Sequence, residues 1–274
     1  MSTQTTSPAT APESLASSGG GLRWAISDTL TVARRNILAI VRIPTSLVFA
    51  IIQPVMFVLL FRYVFGDAIR TPPGVSYVDY LIPGILVQTT IFGAVGTAIG
   101  LAEDLQRGLI ERFRALPMSR MAVLGGRTVA DVLRNVMVLI VITVVGILVG
   151  FRPHGGVVPY VEASLVMLFF AYSLSWGFAY VGLKAPNSET AQAMTFPLIF
   201  PLTFASSVFV PPEFMPGWLQ GFAKNQPVTQ TADAVRGLMS GTPVGNSVWV
   251  SLAWSAAALV ILAPLATRAY RRVV

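Results

Sequence analysis

The chain has 274 residues, 54% of them hydrophobic and only 11% charged, with a mean hydropathy of +0.69. That is more apolar surface than one soluble domain of this size buries, so lipid must be the solvent and a soluble enzyme is excluded. The net charge of +7 does not point to nucleic acid, because the basic residues are spread between apolar runs as topology and anionic headgroups require, and the absence of cysteine removes disulfides, thiolate nucleophiles and cysteine-held metals.

Residues 1–21 are rich in Ser, Thr, Ala, Pro and Gly and lack both a basic start and an apolar core, which predicts a disordered tail rather than a signal peptide. The rest, 22–274, reads as one transmembrane domain. Over 24–41 the residues Ile26, Leu30, Ala33, Ile37 and Val41 recur at three and four, with Arg23, Arg34, Arg35 and Arg42 supplying charge. This predicts an amphipathic helix lying in the membrane interface; the plainer alternative is an extension leading into the first span.

Apolar runs of roughly 20 residues with few charges, the length needed to cross the hydrocarbon core, occur at 43–65, 81–102, 129–150, 160–183, 191–210 and 246–267. The predicted fold is therefore an all-α membrane protein with six transmembrane helices. In the first span Gln53 stands beside Pro54, and in the second Gln88, Thr89 and Thr90 interrupt the apolar run. Isolated polar groups at membrane depth need internal partners, and these four are candidate solute contacts. The glycines Gly93, Gly96 and Gly100 of the second span would let another helix approach closely. The third span carries Asp131 and Arg134, expected in its first turn, either at headgroup level or paired with each other at i, i+3. In the fifth, Phe196, Phe200 and Phe204 recur every four residues beside Pro197 and Pro201, predicting a bent helix with one aromatic face. That face serves either lipid and helix contact or a route for a flat hydrophobic solute.

Placing both termini inside puts fourteen of the 19 Lys and Arg residues on the cytoplasmic side and leaves Arg62, Arg70, Arg152, Lys224 and Arg236 outside. An even number of spans agrees with that orientation. Two connecting segments then stand out. The cytoplasmic one, 103–127, has ion-pair spacings from Glu103 to Arg107, Arg107 to Glu111 and Glu111 to Arg114, with Leu105, Leu109, Ile110, Phe113 and Leu116 on its apolar side. It predicts a short helix ahead of Pro117, able to dock on a soluble protein or simply to anchor topology. The outer one, 211–242, predicts two short helices opened by Pro216 and Pro227, at or dipping into the outer headgroup layer, either as a lid or as a passive loop.

No phosphate-binding loop is present, since Lys184 and Lys224 follow Leu183 and Ala223 rather than glycine, so the chain holds no ATP of its own. His154 is the sole histidine and sits in a short loop, which excludes paired-histidine metal sites and serine–histidine dyads in the bilayer. No Asp or Glu is expected near the centre of a span, where ion-coupled carriers commonly keep one.

The runs IIQPVMFVLLFRYVFG (51–66), YLIPGILVQTTIFGAVGTAIGLAEDLQRGLIERFRALPMSR (80–120), GGRTVADVLRN (125–135) and FPLTFASSVFVPPEFMPGWLQGFAKNQPVT (200–229) resemble the membrane subunits of daunorubicin-resistance-type ABC exporters. The resemblance implies a six-span permease in a bacterial plasma membrane, with an N-terminal interfacial helix, a cytoplasmic coupling helix and short outer helices between spans five and six. It also implies pairing with a second permease subunit, identical or different, and with separate cassette ATPase subunits that hold Mg-ATP. It places Glu103, Asp104, Arg107, Glu111, Arg112 and Arg114 at the ATPase-coupling surface. Amphipathic antibiotics or envelope lipids are the implied solutes; Gln53, Gln88, Thr89, Thr90, Phe196, Phe200 and Phe204 are the candidates for their path. The alternatives are a standalone ion-coupled drug carrier and a non-transporting membrane scaffold. No cofactor, metal or nucleic acid is expected on this chain.

Overall fold

The computed structural model describes residues 44–66, 68, 69, 71, 74–109 and 122–273, and among these there are helices and no strand. The helices are α1 (Pro44–Tyr63), α2 (Tyr77–Gln106), α3 (Ala122–Leu148), α4 (Val157–Lys184), α5 (Ser188–Phe204), α6 (Gly217–Asn225), α7 (Pro227–Ser240) and α8 (Ser247–Val273), with a 3-10 turn at Pro212–Phe214 between α5 and α6. The tail 1–21, the predicted interfacial helix 24–41 and the coupling residues Glu111, Arg112 and Arg114 lie outside the described residues.

α2 is the axis of the bundle. It is apolar on all sides, as a helix surrounded by others must be, and is packed by α1, α3, α4, α5 and α7. Around it, Leu81, Ile85, Leu86 and Ile91 of α2 meet Ile142 of α3, Met167 and Phe170 of α4, and Val235 and Met239 of α7 in one core. The outward faces of α3, α4 and α8 carry Ile140, Val144, Leu165, Val260 and Ile261 exposed. Such a surface is stable against lipid chains, which are as apolar as leucine.

Four helices, Tyr77–Gln106, Gly125–Leu148, Val157–Lys184 and Ser247–Arg272, are long and apolar enough to cross a membrane. The predicted first and fifth spans correspond to the 20-residue α1, apolar over the described stretch Ile51–Tyr63, and to α5, which at 17 residues is shorter than the four. Asn187 starts α5 by accepting the Thr190 backbone N–H at 2.7 Å, with Glu189 in the first turn favoured by the helix dipole. The predicted span 191–210 is too long. Pro197 and Pro201 remove backbone donors, the helix stops at Phe204, and Ser206, Ser207 and Val208 continue as irregular backbone buried in the bundle. Gly84 of α2 makes room for that segment, because a Cβ there would overlap the Val208 carbonyl.

Two other expectations change, and a third is sharpened. α7 is packed into the bundle, with Val228, Ala232, Val235 and Met239 buried, and it lies against α2, α4 and α8. Its partner α6 does lie at the surface, with Trp218 exposed. Asp131 and Arg134 are not in the first turn of their helix, since α3 begins two turns earlier at Ala122. Glu103 and Asp104 belong to the last turn of α2, which ends where Gly108 adopts φ 63°, so the charged segment is not one short helix beginning at Glu103.

Candidate functional site

Two arginines of α3 lie along α2. Arg127 pairs with Asp104 at 3.1 Å and donates to the Gly96 carbonyl at 3.0 Å. Arg134 pairs with Asp131 at 3.5 Å and donates to the Gly93 carbonyl, while the Thr97 hydroxyl donates to Asp131. Side chains on the glycines would close these seats. A Cβ on Gly100 would overlap the Arg127 guanidinium, and one on Gly93 or Gly96 would approach Arg134 to 2.8 Å. The glycine stripe thus accommodates guanidinium groups rather than a second helix backbone. Each arginine has a carboxylate beside it, as charge at membrane depth requires. Asp131 and Arg134 are thus paired with each other, one of the two arrangements expected from their i, i+3 spacing.

Above the Arg134 pair, α1, α2 and α3 enclose a cavity of about 120 Å³. Gln53, Gln88, Thr89, Arg134 and Asn135 form its polar wall, and Pro54, Phe57, Phe92 and Val138 its apolar one. Thr89 and Thr90 turn their hydroxyls back onto the carbonyls of Leu86 and Val87 at 2.7 and 2.8 Å. Gln88 differs: it is 2% exposed, and neither its amide nitrogen nor its amide oxygen has a hydrogen-bond partner among the described residues.

Phe57 also starts an aromatic ladder. Its ring is 6.0 Å from that of Phe209; Phe209 stacks on Phe61 at 4.2 Å and lies 5.5 Å from Phe204, and Phe204, Phe200 and Phe196 follow at 5.5 and 5.6 Å. The three α5 rings are 38–47% exposed, on the outside of the bundle.

At the end of the bundle opposite Lys184, Arg236 of α7 fastens the irregular segment after α5 to α2. It donates to the Tyr80 carbonyl at 3.0 Å and the Ser207 carbonyl at 2.9 Å, pairs with Asp233 at 2.6 Å, and lies 3.6 Å over the Tyr80 ring. The Tyr80 hydroxyl donates to the Ser207 carbonyl, the Ser207 hydroxyl to Asp233, and the Ser207 N–H to the Thr229 hydroxyl. Irregular backbone away from water needs such partners. Burial pushes the Asp233 carboxyl above the usual carboxylate range, and the Arg236 charge beside it pulls it back.

Of the sequence-predicted path residues, the structure brings Gln53, Gln88 and Thr89 to one cavity. Thr90 is buried against the Val87 carbonyl and does not line the cavity, and Phe196, Phe200 and Phe204 join the cavity only through Phe209, Phe61 and Phe57. Of the coupling residues, Asp104 is turned inward to Arg127, whereas Glu103 and Arg107 form an exposed i, i+4 pair at 3.5 Å. Sequence reasoning missed the Arg236 clamp. The signal was there, in Asp233 and Arg236 three apart amid the apolar positions Val228, Ala232 and Val235.

The ABC-2 type transporter family profile matches residues 27–240. The chain is 37% identical to the daunorubicin resistance ABC transporter permease protein DrrB1 of Streptomyces coeruleorubidus, over 90% of this chain and 87% of that one. It is 26% identical to the probable doxorubicin resistance ABC transporter permease protein DrrC of Mycobacterium tuberculosis, over 96% of this chain and 95% of that one.

Proposed function

Because the chain belongs to the ABC-2 type transporter family, we propose that it is the membrane pathway of an ATP-driven exporter whose ATP is bound and hydrolysed, with Mg²⁺, by separate cassette subunits. The observation that carries this reading is the family match across most of a chain that has no phosphate-binding loop of its own. In it α1, α2, α3, α4, α5 and α8 are the six spans of a bacterial plasma-membrane permease. The end bearing Lys184, Arg268, Arg271 and Arg272 faces the cytoplasm together with both termini, and a second permease subunit, identical or different, completes the pathway.

The solute is an amphipathic drug or a lipid, in keeping with the names of the relatives. Its path runs by Gln53, Gln88 and Thr89 and along the phenylalanine ladder. ATP must favour one arrangement of the bundle over another, and the force enters through the exposed Glu103–Arg107 pair and the charged residues that follow it.

The test is reconstitution in vesicles with a candidate cassette ATPase co-purified with this chain. Solute accumulation should require ATP, vanish when the lysine of that ATPase's phosphate-binding loop is replaced, and survive a proton ionophore. Accumulation by the permease alone, or its loss on adding ionophore with ATP present, would overturn the proposal.

A further inference from the structure

The cavity between α1, α2 and α3 holds an unused hydrogen-bonding group in a place where unused groups are costly. Both ends of the Gln88 amide are buried and without a partner among the described residues, while the neighbouring Thr89 and Thr90 hydroxyls are satisfied by their own helix. An amide left without partners in a low-dielectric interior destabilises the empty state, and a ligand that supplies a donor and an acceptor side by side removes that cost. Packing alone gives no reason for glutamine here, since methionine has nearly the same shape without the polar atoms.

The charge on the wall narrows the ligand. Arg134 is the ionised group lining the cavity, and no carboxylate lines it among the described residues. Asp131, which balances that guanidinium, stands outside the lining and also accepts from Thr97. A cation entering the cavity meets the guanidinium and finds no carboxylate on the wall, among the described residues, to pair with. An anion finds an arginine already paired with Asp131 and bonded to the Gly93 carbonyl, so its own desolvation is poorly compensated. The remaining walls, Phe57, Phe92, Val138 and Pro54, suit a flat apolar body.

We infer that this cavity is a binding site for the uncharged, hydrogen-bonding end of an amphipathic molecule, a carboxamide or a hydroxyl beside a carbonyl, with Gln88 as its hydrogen-bonding partner and the Arg134 charge turning away a cationic amine. The inference rests on the exporter reading for its place in transport. At about 120 Å³ the cavity is somewhat smaller than the roughly 150 Å³ space that takes one benzene ring. It therefore seats the polar end with its adjoining ring edge, and the rest of the molecule extends past Phe57 toward Phe209 and Phe61.

The test needs no ATPase, so its outcome is separate from that of the exporter reading. The full chain in lipid nanodiscs is titrated with 2-naphthamide and with 2-naphthylmethylamine, which is protonated at pH 7, each corrected for uptake by empty nanodiscs. Wild-type protein should bind the amide at least about tenfold more tightly than the ammonium. Gln88→Met should weaken amide binding about tenfold, the worth of one to two buried hydrogen bonds, while the unliganded variant melts at the same temperature as wild type or higher. Equal or tighter binding of the ammonium by the wild type, which is decisive even if the variant fails to fold, would overturn the inference. So would undiminished amide binding by a folded Gln88→Met protein. If amide binding fails this test while ATP-dependent transport persists, the exporter reading stands and this site does not.

Discussion

Replacing Arg236 by methionine tests whether α5 is held at its broken end by one guanidinium. The substitution keeps most of the side-chain volume and removes two hydrogen bonds to buried carbonyls, an ion pair at 2.6 Å and the contact with the Tyr80 ring. Breaking a buried pair by deleting one member costs about 3–5 kcal/mol, because the surviving charge loses its counter-ion. Here Asp233 keeps 38% of its side chain exposed, which places the loss at the lower end, about 3 kcal/mol. For a chain of this size that is a drop in Tm of roughly 6–12 °C, read by thermal unfolding of the purified protein in detergent. Adding Asp233→Asn removes the orphaned charge and should return at least about 1 kcal/mol of the loss. A single Arg236→Met variant melting within about 2 °C of wild type would show that the segment after α5 is held by packing alone.

Asp131→Ala, which leaves the Arg134 guanidinium without its carboxylate inside the bundle, should cost about 3 kcal/mol, and the double variant Asp131→Ala/Arg134→Leu less than that; a double variant no more stable than the single one would refute the pairing. Gly100→Leu should displace Arg127 from its seat and destabilise by about 1–3 kcal/mol, whereas the same change at the exposed Gly221 should be nearly silent in a melting experiment. Phe209→Ala, in the middle of the aromatic ladder and buried, should cost roughly 3 kcal/mol, and Phe200→Ala, half exposed to lipid, well under 1 kcal/mol. Melting of the two variants separates a packed junction from a surface ring, and equal losses would contradict the ladder's geometry. Reversing the charges of Arg107, Glu111 and Arg114 together should leave insertion intact and uncouple ATP hydrolysis from efflux in the reconstituted exporter; unchanged efflux by a stably expressed triple variant would remove this segment from the coupling surface.

The long helices were legible because each has to bury a continuous apolar stretch in lipid, and that requirement is written locally. α2, α3, α4 and α8 follow the predicted runs, with ends displaced by one to seven residues. The polar positions Gln53, Gln88 and Thr89 were legible as exceptions to the same rule. Their meeting in one cavity was not, because which faces of α1, α2 and α3 meet depends on how the three helices rotate against one another. The role of Gly93, Gly96 and Gly100 was misread for a related reason: small residues make room, and the sequence does not say whether a backbone or an arginine will occupy it.

Composition and apolar periodicity alone determined that this is a helical membrane protein without a nucleotide loop, and the quoted motifs carried its family. Both are local properties of the chain, read a turn or a span at a time. Tertiary structure decided that α5 stops short and that α7 enters the core. It also decided that Arg236, counted in the sequence only among the charges on the outer side, ties together Tyr80, Ser207 and Asp233 from three segments. Buried carbonyls and charges must find partners wherever the packed chain brings them, and those partners lie up to 156 residues apart, beyond the reach of any local pattern.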